Sequence, residues 1–144
     1  MSGNEQAEVV FWHGSDVFLP PGTILTPQPG YAARWSHTDF YPVLERHRPR
    51  ACLAHCHAVF MCESDEDLDS AGGGTEWVFR VQPQGPKSRH DLNWSSAISC
   101  AVGEGATADE LARLAGLYWV GAPSSDPLWE WLCPAALIVA AEPF

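Results

Sequence analysis

The segment that decides the fold is Glu76-Trp77-Val78-Phe79-Arg80-Val81-Gln82, in which apolar and polar side chains alternate. Its apolar members on one side are Trp77, Phe79 and Val81, and its polar members on the other side are Glu76, Arg80 and Gln82. A period of two residues is typical of a strand with one buried face. The sequence therefore predicts a half-buried strand here, which Pro83 and then Gly85-Pro86 are expected to end.

Three other apolar segments are predicted to be strands, because turn-forming residues bound them. They are residues 9–12, 58–62 and 135–141. Each is short and rich in residues that favour strands. The last of them is short enough to be a central strand of a sheet.

Two segments carry signals for helices. Thr38 or Asp39 is placed to cap a short helix that runs to about His47. Thr107-x-x-Glu110 is a capping box, and apolar residues follow it at helical spacing. Strands and helices do not alternate regularly along the chain. The sequence therefore predicts an α+β fold with several short strands and two or three helices.

The composition predicts one folded domain. The 144 residues are 46% hydrophobic, which provides a core for one domain but is too little for two ordinary ones. We expect residues 1–8 to be a flexible N-terminus and residues 9–144 to form the domain.

Charge and cysteine content bear on partners and on location. The formal net charge is −10, which disfavours a nucleic-acid partner because phosphate backbones are repelled. No apolar run approaches the ~20 residues needed to cross a bilayer, so no membrane partner is expected. The five cysteines are an odd number, and we interpret them as reduced thiols in a cytoplasmic protein.

A cluster of cysteine and histidine residues raises the question of a metal site. It consists of Cys52, His55, Cys56 and His57. Strong zinc motifs pair two ligand clusters across a loop, and only one cluster is present, so no metal is predicted. A catalytic cysteine activated by a histidine is also weakly supported, since no local signature marks any cysteine as reactive.

Two ionisable residues stand out by their apolar surroundings. His13 ends an apolar run and is followed by Gly14, which suggests close approach of the backbone to a strand or a ligand. A core histidine with a hydrogen-bond partner is the other interpretation. Glu130 lies between Trp129 and Trp131. It is either a surface glutamate or a carboxylate with a perturbed pKa in a cleft.

Phe11-Trp12-His13-Gly14-Ser15 resembles the first strand of the diphtheria-toxin-like ADP-ribosyltransferases, which include the poly(ADP-ribose) polymerases. That superfamily carries a His-Tyr-Glu triad on three separated strands. Val59-Phe60-Met61 corresponds to its second triad strand. Glu130-Trp131-Leu132, running on through residues 134–139, resembles its glutamate-bearing segment.

The layout is most similar to the small rifamycin-inactivating bacterial ADP-ribosyltransferases. The shared features are His13-Gly14, Pro21-Gly22-Thr23-Ile24-Leu25 and a strand leading into Pro83-Gln84-Gly85-Pro86. That family uses a His-Tyr-Asp set, in which the aspartate matches Asp91. The resemblance implies a split, mixed β-sheet with a few short helices.

The resemblance also implies catalytic roles. His13 would hydrogen-bond the ribose on the nicotinamide side of NAD, and the Gly14 backbone would hold the carboxamide. Phe60, in place of the usual tyrosine, would stack on the nicotinamide. Glu130 or Asp91 would hydrogen-bond a ribose hydroxyl and stabilise the oxocarbenium-like transition state.

The remaining members of the expected NAD site are Ser15, Asn93, Ser95, Arg34 and Arg80. The two arginines are chosen for the pyrophosphate from their charge alone. The implied activity is transfer of ADP-ribose from NAD, a co-substrate, to a small molecule, a protein or water. Because Phe60 replaces tyrosine, the alternative is a catalytically degenerate module that binds a nucleotide or a partner protein without turnover.

Overall fold

The strand predicted at residues 76–82 lies inside the sheet and pairs with a neighbouring strand on each side. A computed structural model describes residues 9–28, 35–68 and 76–144, and in it this strand extends from Trp77 to Gln84. Pro83 does not end the strand, because it pairs with Ala136 of a neighbouring strand, and the strand stops directly before Gly85, as expected. Pairing on the other side ends at Val81, so Pro83 has no strand partner there and its missing N–H is tolerated.

Seven strands and three α-helices are present in the described part of the chain. The strands are β1 (Phe11–Ser15), β2 (Ile24–Leu25), β3 (Val59–Cys62), β4 (Trp77–Gln84), β5 (Ser88–Asp91), β6 (Trp129–Cys133) and β7 (Ala135–Pro143). The helices are α1 (Phe40–Arg46), α2 (Leu92–Gly103) and α3 (Ala108–Trp119). The α+β fold class is confirmed.

The strands form one sheet in the order β2-β7-β4-β1-β3-β6-β5. Every pairing between described strands is antiparallel. The split, mixed sheet implied by the resemblance is therefore not what the described strands form. The nearest feature to a split is the β1–β3 boundary, where the only registered pair among the described residues is Trp12 with Cys62.

The two faces of this sheet carry different layers. The helix face, defined here by Phe60, Glu130 and Leu132, packs against the helices through a cluster that includes Ile98 and Tyr118. The far face is defined by His13, Phe79 and Trp131. Its buried apolar residues are Phe11, Leu25, Val59, Met61, Phe79, Val81, Cys133, Ala136 and Ile138. Directly paired residues share a face, so strand register assigns each side chain to one layer.

The helices begin where their capping residues predict, with one exception. Asp39 precedes α1, and the Thr107 hydroxyl accepts a hydrogen bond from the Glu110 N–H at 3.2 Å at the start of α3. The helix α2 was not predicted. Its N-cap is Asp91, whose carboxylate accepts the Asn93 N–H at 2.9 Å, so a capping signal was present in the sequence.

The glutamate-bearing segment is two strands rather than one. Residues 129–133 form β6 and residues 135–143 form β7, with Pro134 between them. The turn at Pro134 packs against the turn at Gly85, where an added Cβ would lie 2.8 Å from Pro134 Cγ. The predicted strand at 135–141 is confirmed as part of β7, which lies between β4 and the two-residue β2.

None of the described helices is long and apolar enough to cross a membrane. All five cysteines are free thiols. Within residues 9–28, 35–68 and 76–144, no group of three or more His, Cys, Asp or Glu side chains is arranged to hold a metal ion. The predicted N-terminal segment 1–8 lies outside the described residues.

Candidate functional site

His13 is held at the boundary between β1 and β3. Its Nδ1–H donates to the carbonyl oxygen of Phe60 at 2.7 Å, and its ring lies parallel to that of Phe79, with 6.2 Å between centroids. Burial lowers the pKa of His13, and the bond to Phe60 opposes this effect. The imidazole is therefore neutral at pH 7, with Nδ1 protonated and Nε2 left as an acceptor.

The Phe60 ring does not share the face of the His13 ring. Phe60 pairs with Leu132, which places its ring on the helix face, where it stacks on His55 with 5.7 Å between centroids. The contact between His13 and Phe60 therefore uses only the backbone of Phe60. The ring is not positioned to stack on a group bound at His13.

Glu130 is a buried carboxyl group in the middle of the helix face. It pairs with Cys62 on β3 and with His90 on β5, and it is 3% exposed. Burial raises the pKa of Glu130 to about 8. Within the described part of the chain, neither a hydrogen bond nor an ion pair reaches it. Of the two interpretations of Glu130, the surface glutamate is therefore wrong, and the raised pKa agrees with a perturbed carboxyl group.

Strand register separates Glu130 from His13. Glu130 lies opposite Cys62, and Cys62 lies opposite Trp12, so these three side chains are on one face. His13, the next residue after Trp12, lies opposite Phe79 on the other face. The imidazole and the carboxyl group therefore project from opposite sides of the sheet, and the convergence that the resemblance implies does not occur.

Asp91 is used to hold the backbone together. Three backbone N–H groups donate to its carboxylate, from Asn93 at 2.9 Å, Ser124 at 2.7 Å and Leu128 at 3.1 Å. Burial opposes the charge of this group, but the hydrogen bonds from Ser124, Asn93 and Leu128 outweigh it and lower the pKa of Asp91. Asp91 is thus an ionised, fully enclosed carboxylate that caps α2 and fixes the loop before β6.

The other predicted binding residues lie in three separate places. Asn93 donates to the Ser124 hydroxyl and to the Asp126 carbonyl, so it supports the same loop as Asp91, and Ser95 is buried in α2.

Arg80 is exposed and lies opposite Trp12, on the helix face. Gly14 and Ser15 pair with Val78 and Trp77. Arg34 lies outside the described residues.

Sequence reasoning missed a buried polar cluster beneath the helices. His55 Nε2 lies 2.6 Å from the Tyr118 hydroxyl, and His90 Nδ1–H donates to the Tyr118 carbonyl at 2.8 Å. Burial, the nearby His90 and the Arg48 charge lower the pKa of His55 to about 3. His55 lies in the cluster weighed as a zinc site, and its ring packs against those of Tyr41, Phe60, Tyr118 and Trp119. The residues next to His55 in the sequence gave no indication that it would contact Tyr118.

An open hollow of about 240 Å³ lies beside the turns at Pro86 and Pro134. Its lining also includes residues 50–53, among them Cys52. Among the predicted NAD-site residues that the structure describes, none lines this hollow. Burial raises the pKa of the Cys52 thiol, and the Arg48 charge opposes this, so the hollow does not contain an activated thiolate.

No known protein family matches this sequence, and no curated protein matches it.

Proposed function

We propose that this chain is an ADP-ribosyltransferase-like domain that binds NAD, or a related nucleotide, at His13 without cleaving it. The proposal starts from the sequence resemblance around Phe11–Ser15. The observations that carry the absence of turnover are the separation of His13 from Glu130 on opposite faces of the sheet and the use of Asp91 to bind three backbone N–H groups.

A neutral imidazole at His13 is suited to binding a ribose hydroxyl. Its Nδ1–H donates to the Phe60 carbonyl. This bond fixes the ring and leaves the lone pair of Nε2 to accept a hydrogen bond from another group. A hydroxyl group is a donor that such a nitrogen accepts. Stacking on Phe79 holds the ring in the same orientation, which lowers the entropy lost on binding.

The chemistry of bond cleavage has no equivalent support. An oxocarbenium-like transition state requires negative charge beside the ribose. Asp91 is already bound by three backbone N–H groups. Glu130 lies on the opposite face from His13, and because burial raises its pKa to about 8, it is mostly protonated at pH 7 and offers little charge.

Calorimetric titration with NAD, combined with a chromatographic assay for free nicotinamide, tests this proposal. We expect saturable binding, no release of nicotinamide, and binding weakened about threefold to tenfold by His13→Ala, as for loss of one neutral hydrogen bond. His57→Ala removes an exposed imidazole and serves as the matched control, with wild-type affinity. Absence of saturable NAD binding would contradict the proposal.

An active mono-ADP-ribosyltransferase is the second candidate. The observation that favours it is the direct hydrogen bond between His13 and Phe60, which joins two of the three positions that the family uses. It would pass ADP-ribose to a small molecule, a protein or water. Release of nicotinamide by the wild type, lost in both His13→Ala and Glu130→Gln, would establish this candidate in place of the first.

A further inference from the structure

Two basic side chains lie over two tryptophans on the far face of β5 and β6. The Arg89 guanidinium carbon is 3.8 Å from the centre of the Trp129 ring and 6.0 Å from that of Trp131. The Lys87 ammonium nitrogen is 5.9 Å from the centre of Trp131. Arg89 pairs with Trp131 in register, so all four side chains belong to one face at one edge of the sheet.

These two cations lack acidic partners among the described residues of an acidic protein. The chain carries eighteen Asp and Glu against eight Lys and Arg, yet no ion pair within the described residues involves Lys87 or Arg89. Both are exposed. Stacking on Trp129 uses the flat face of the Arg89 guanidinium. The N–H groups at its edge can therefore bind one oxyanion through two hydrogen bonds.

The indole of Trp131 supplies a third donor. Its Nε1–H is buried and has no hydrogen-bond partner, which costs about 1–3 kcal/mol for a buried donor. The Phe11 ring packs edge-on against the Trp131 ring, with 5.4 Å between centroids, and Lys87 and Arg89 lie over the same ring at 5.9 and 6.0 Å. An anion held by these two cations would therefore lie beside a ring that carries an unsatisfied donor.

We propose that Lys87, Arg89 and the Trp131 indole N–H form a binding site for an oxyanion, the phosphate or carboxylate group of a small molecule. Charge complementarity selects this occupant, since two cations without ion pairs among the described residues lie over a ring that carries an unsatisfied donor. The site requires no nucleotide and does not depend on the proposed function. His13 lies on the same face but on β1, two strands from β6, about 10 Å away at the usual strand spacing.

Calorimetric titrations at low ionic strength test the site, with inorganic diphosphate as the phosphate probe and citrate as the carboxylate probe. We expect one saturable site, and the tighter probe identifies the group that the site prefers. Arg89→Gln and Lys87→Gln are each expected to weaken binding of that probe about tenfold. Trp131→Phe keeps an aromatic ring and removes only the N–H, and it is expected to weaken binding about threefold or more.

Two control variants separate this site from other effects. Arg46→Gln removes an equal charge from an exposed position in α1 and is expected to bind the probe like the wild type. His13→Ala is likewise expected to bind it normally, even if NAD binding fails. Absence of saturable binding of both probes, or equal weakening by Arg46→Gln and Arg89→Gln, would overturn the proposal. Lys87 and Arg89 are exposed, so their variants test the site even if Trp131→Phe unfolds.

Discussion

The buried carboxyl group of Glu130 makes stability depend on pH in a way that one substitution isolates. Burial raises the pKa of this group from 4.5 to about 8. Between these values the unfolded chain releases a proton that the folded protein retains. The contribution of Glu130 to stability is therefore fully present below pH 4.5 and is lost as the pH rises toward 8.

Glu130→Gln keeps the shape of the protonated side chain and cannot ionise. Each pH unit between the two pKa values corresponds to about 1.4 kcal/mol. At pH 4.5, we expect ionisation of Glu130 to make no difference between the free energies of unfolding of the variant and the wild type. We expect a gain of about 3 kcal/mol at pH 7 and up to about 5 kcal/mol above pH 8.

Urea denaturation followed by tryptophan fluorescence at pH 5, 7 and 8.5 measures these differences, provided that the slope against urea is the same in both proteins. Glu142→Gln removes a charge from an exposed position on β7 and is expected to follow the wild type at each pH. If the difference between Glu130→Gln and the wild type is the same at pH 5 and at pH 8.5, the argument from burial is wrong.

Three further predictions concern residues that the structure places in new roles. Asp91→Ala leaves three backbone donors without their acceptor and should lower the free energy of unfolding by at least about 3 kcal/mol. Urea denaturation measures this loss. The control Asp126→Ala, at an exposed position, should change the free energy of unfolding by less than about 0.5 kcal/mol. His55 has a pKa lowered from 6.5 to about 3, so its contribution to stability is lost as the pH falls below 6.5. Between these two values, the difference in unfolding free energy between the wild type and His55→Gln should shrink by about 1.4 kcal/mol for each pH unit of acidification. Phe60→Tyr restores the hydroxyl of the resembled triad but points it among the helices, so the nicotinamide assay should detect no gain of turnover; a gain would show that the ring reaches the NAD site.

Local patterns were sufficient to predict several elements. The alternation at residues 76–82 predicted β4, because a period of two residues is a property of the strand itself. The continuous apolar run at 58–62 predicted β3 from its short length and its strand-forming residues. The capping box at Thr107 predicted α3 for a similar reason, since its two partners lie within one turn. The helix α2 was missed because its cap, Asp91, was interpreted by resemblance as a catalytic carboxylate rather than as an N-cap.

The candidate site could be predicted only in part. The position of Glu130 between two tryptophans predicted an unusual environment, and burial does raise its pKa. However, Trp129 and Trp131 lie on the far face, so the burial comes from the helix face instead. Which face Glu130 occupies did not follow from any local pattern. A shift of one residue in pairing reverses the face of every side chain on a strand, and the pairs Glu130–Cys62 and Cys62–Trp12 involve residues far apart in the chain.

The amino-acid sequence by itself determined the α+β class, most of the strands and the caps of two helices, because these depend on residues within a few positions of one another. The tertiary structure alone decided that His13 and Glu130 face opposite layers and that Asp91 binds a distant loop. It also decided that Lys87 and Arg89 lie over Trp131 and Trp129. Those outcomes depend on how strands separated by tens of residues align, and this alignment is fixed by the packing of the whole sheet rather than by any single segment.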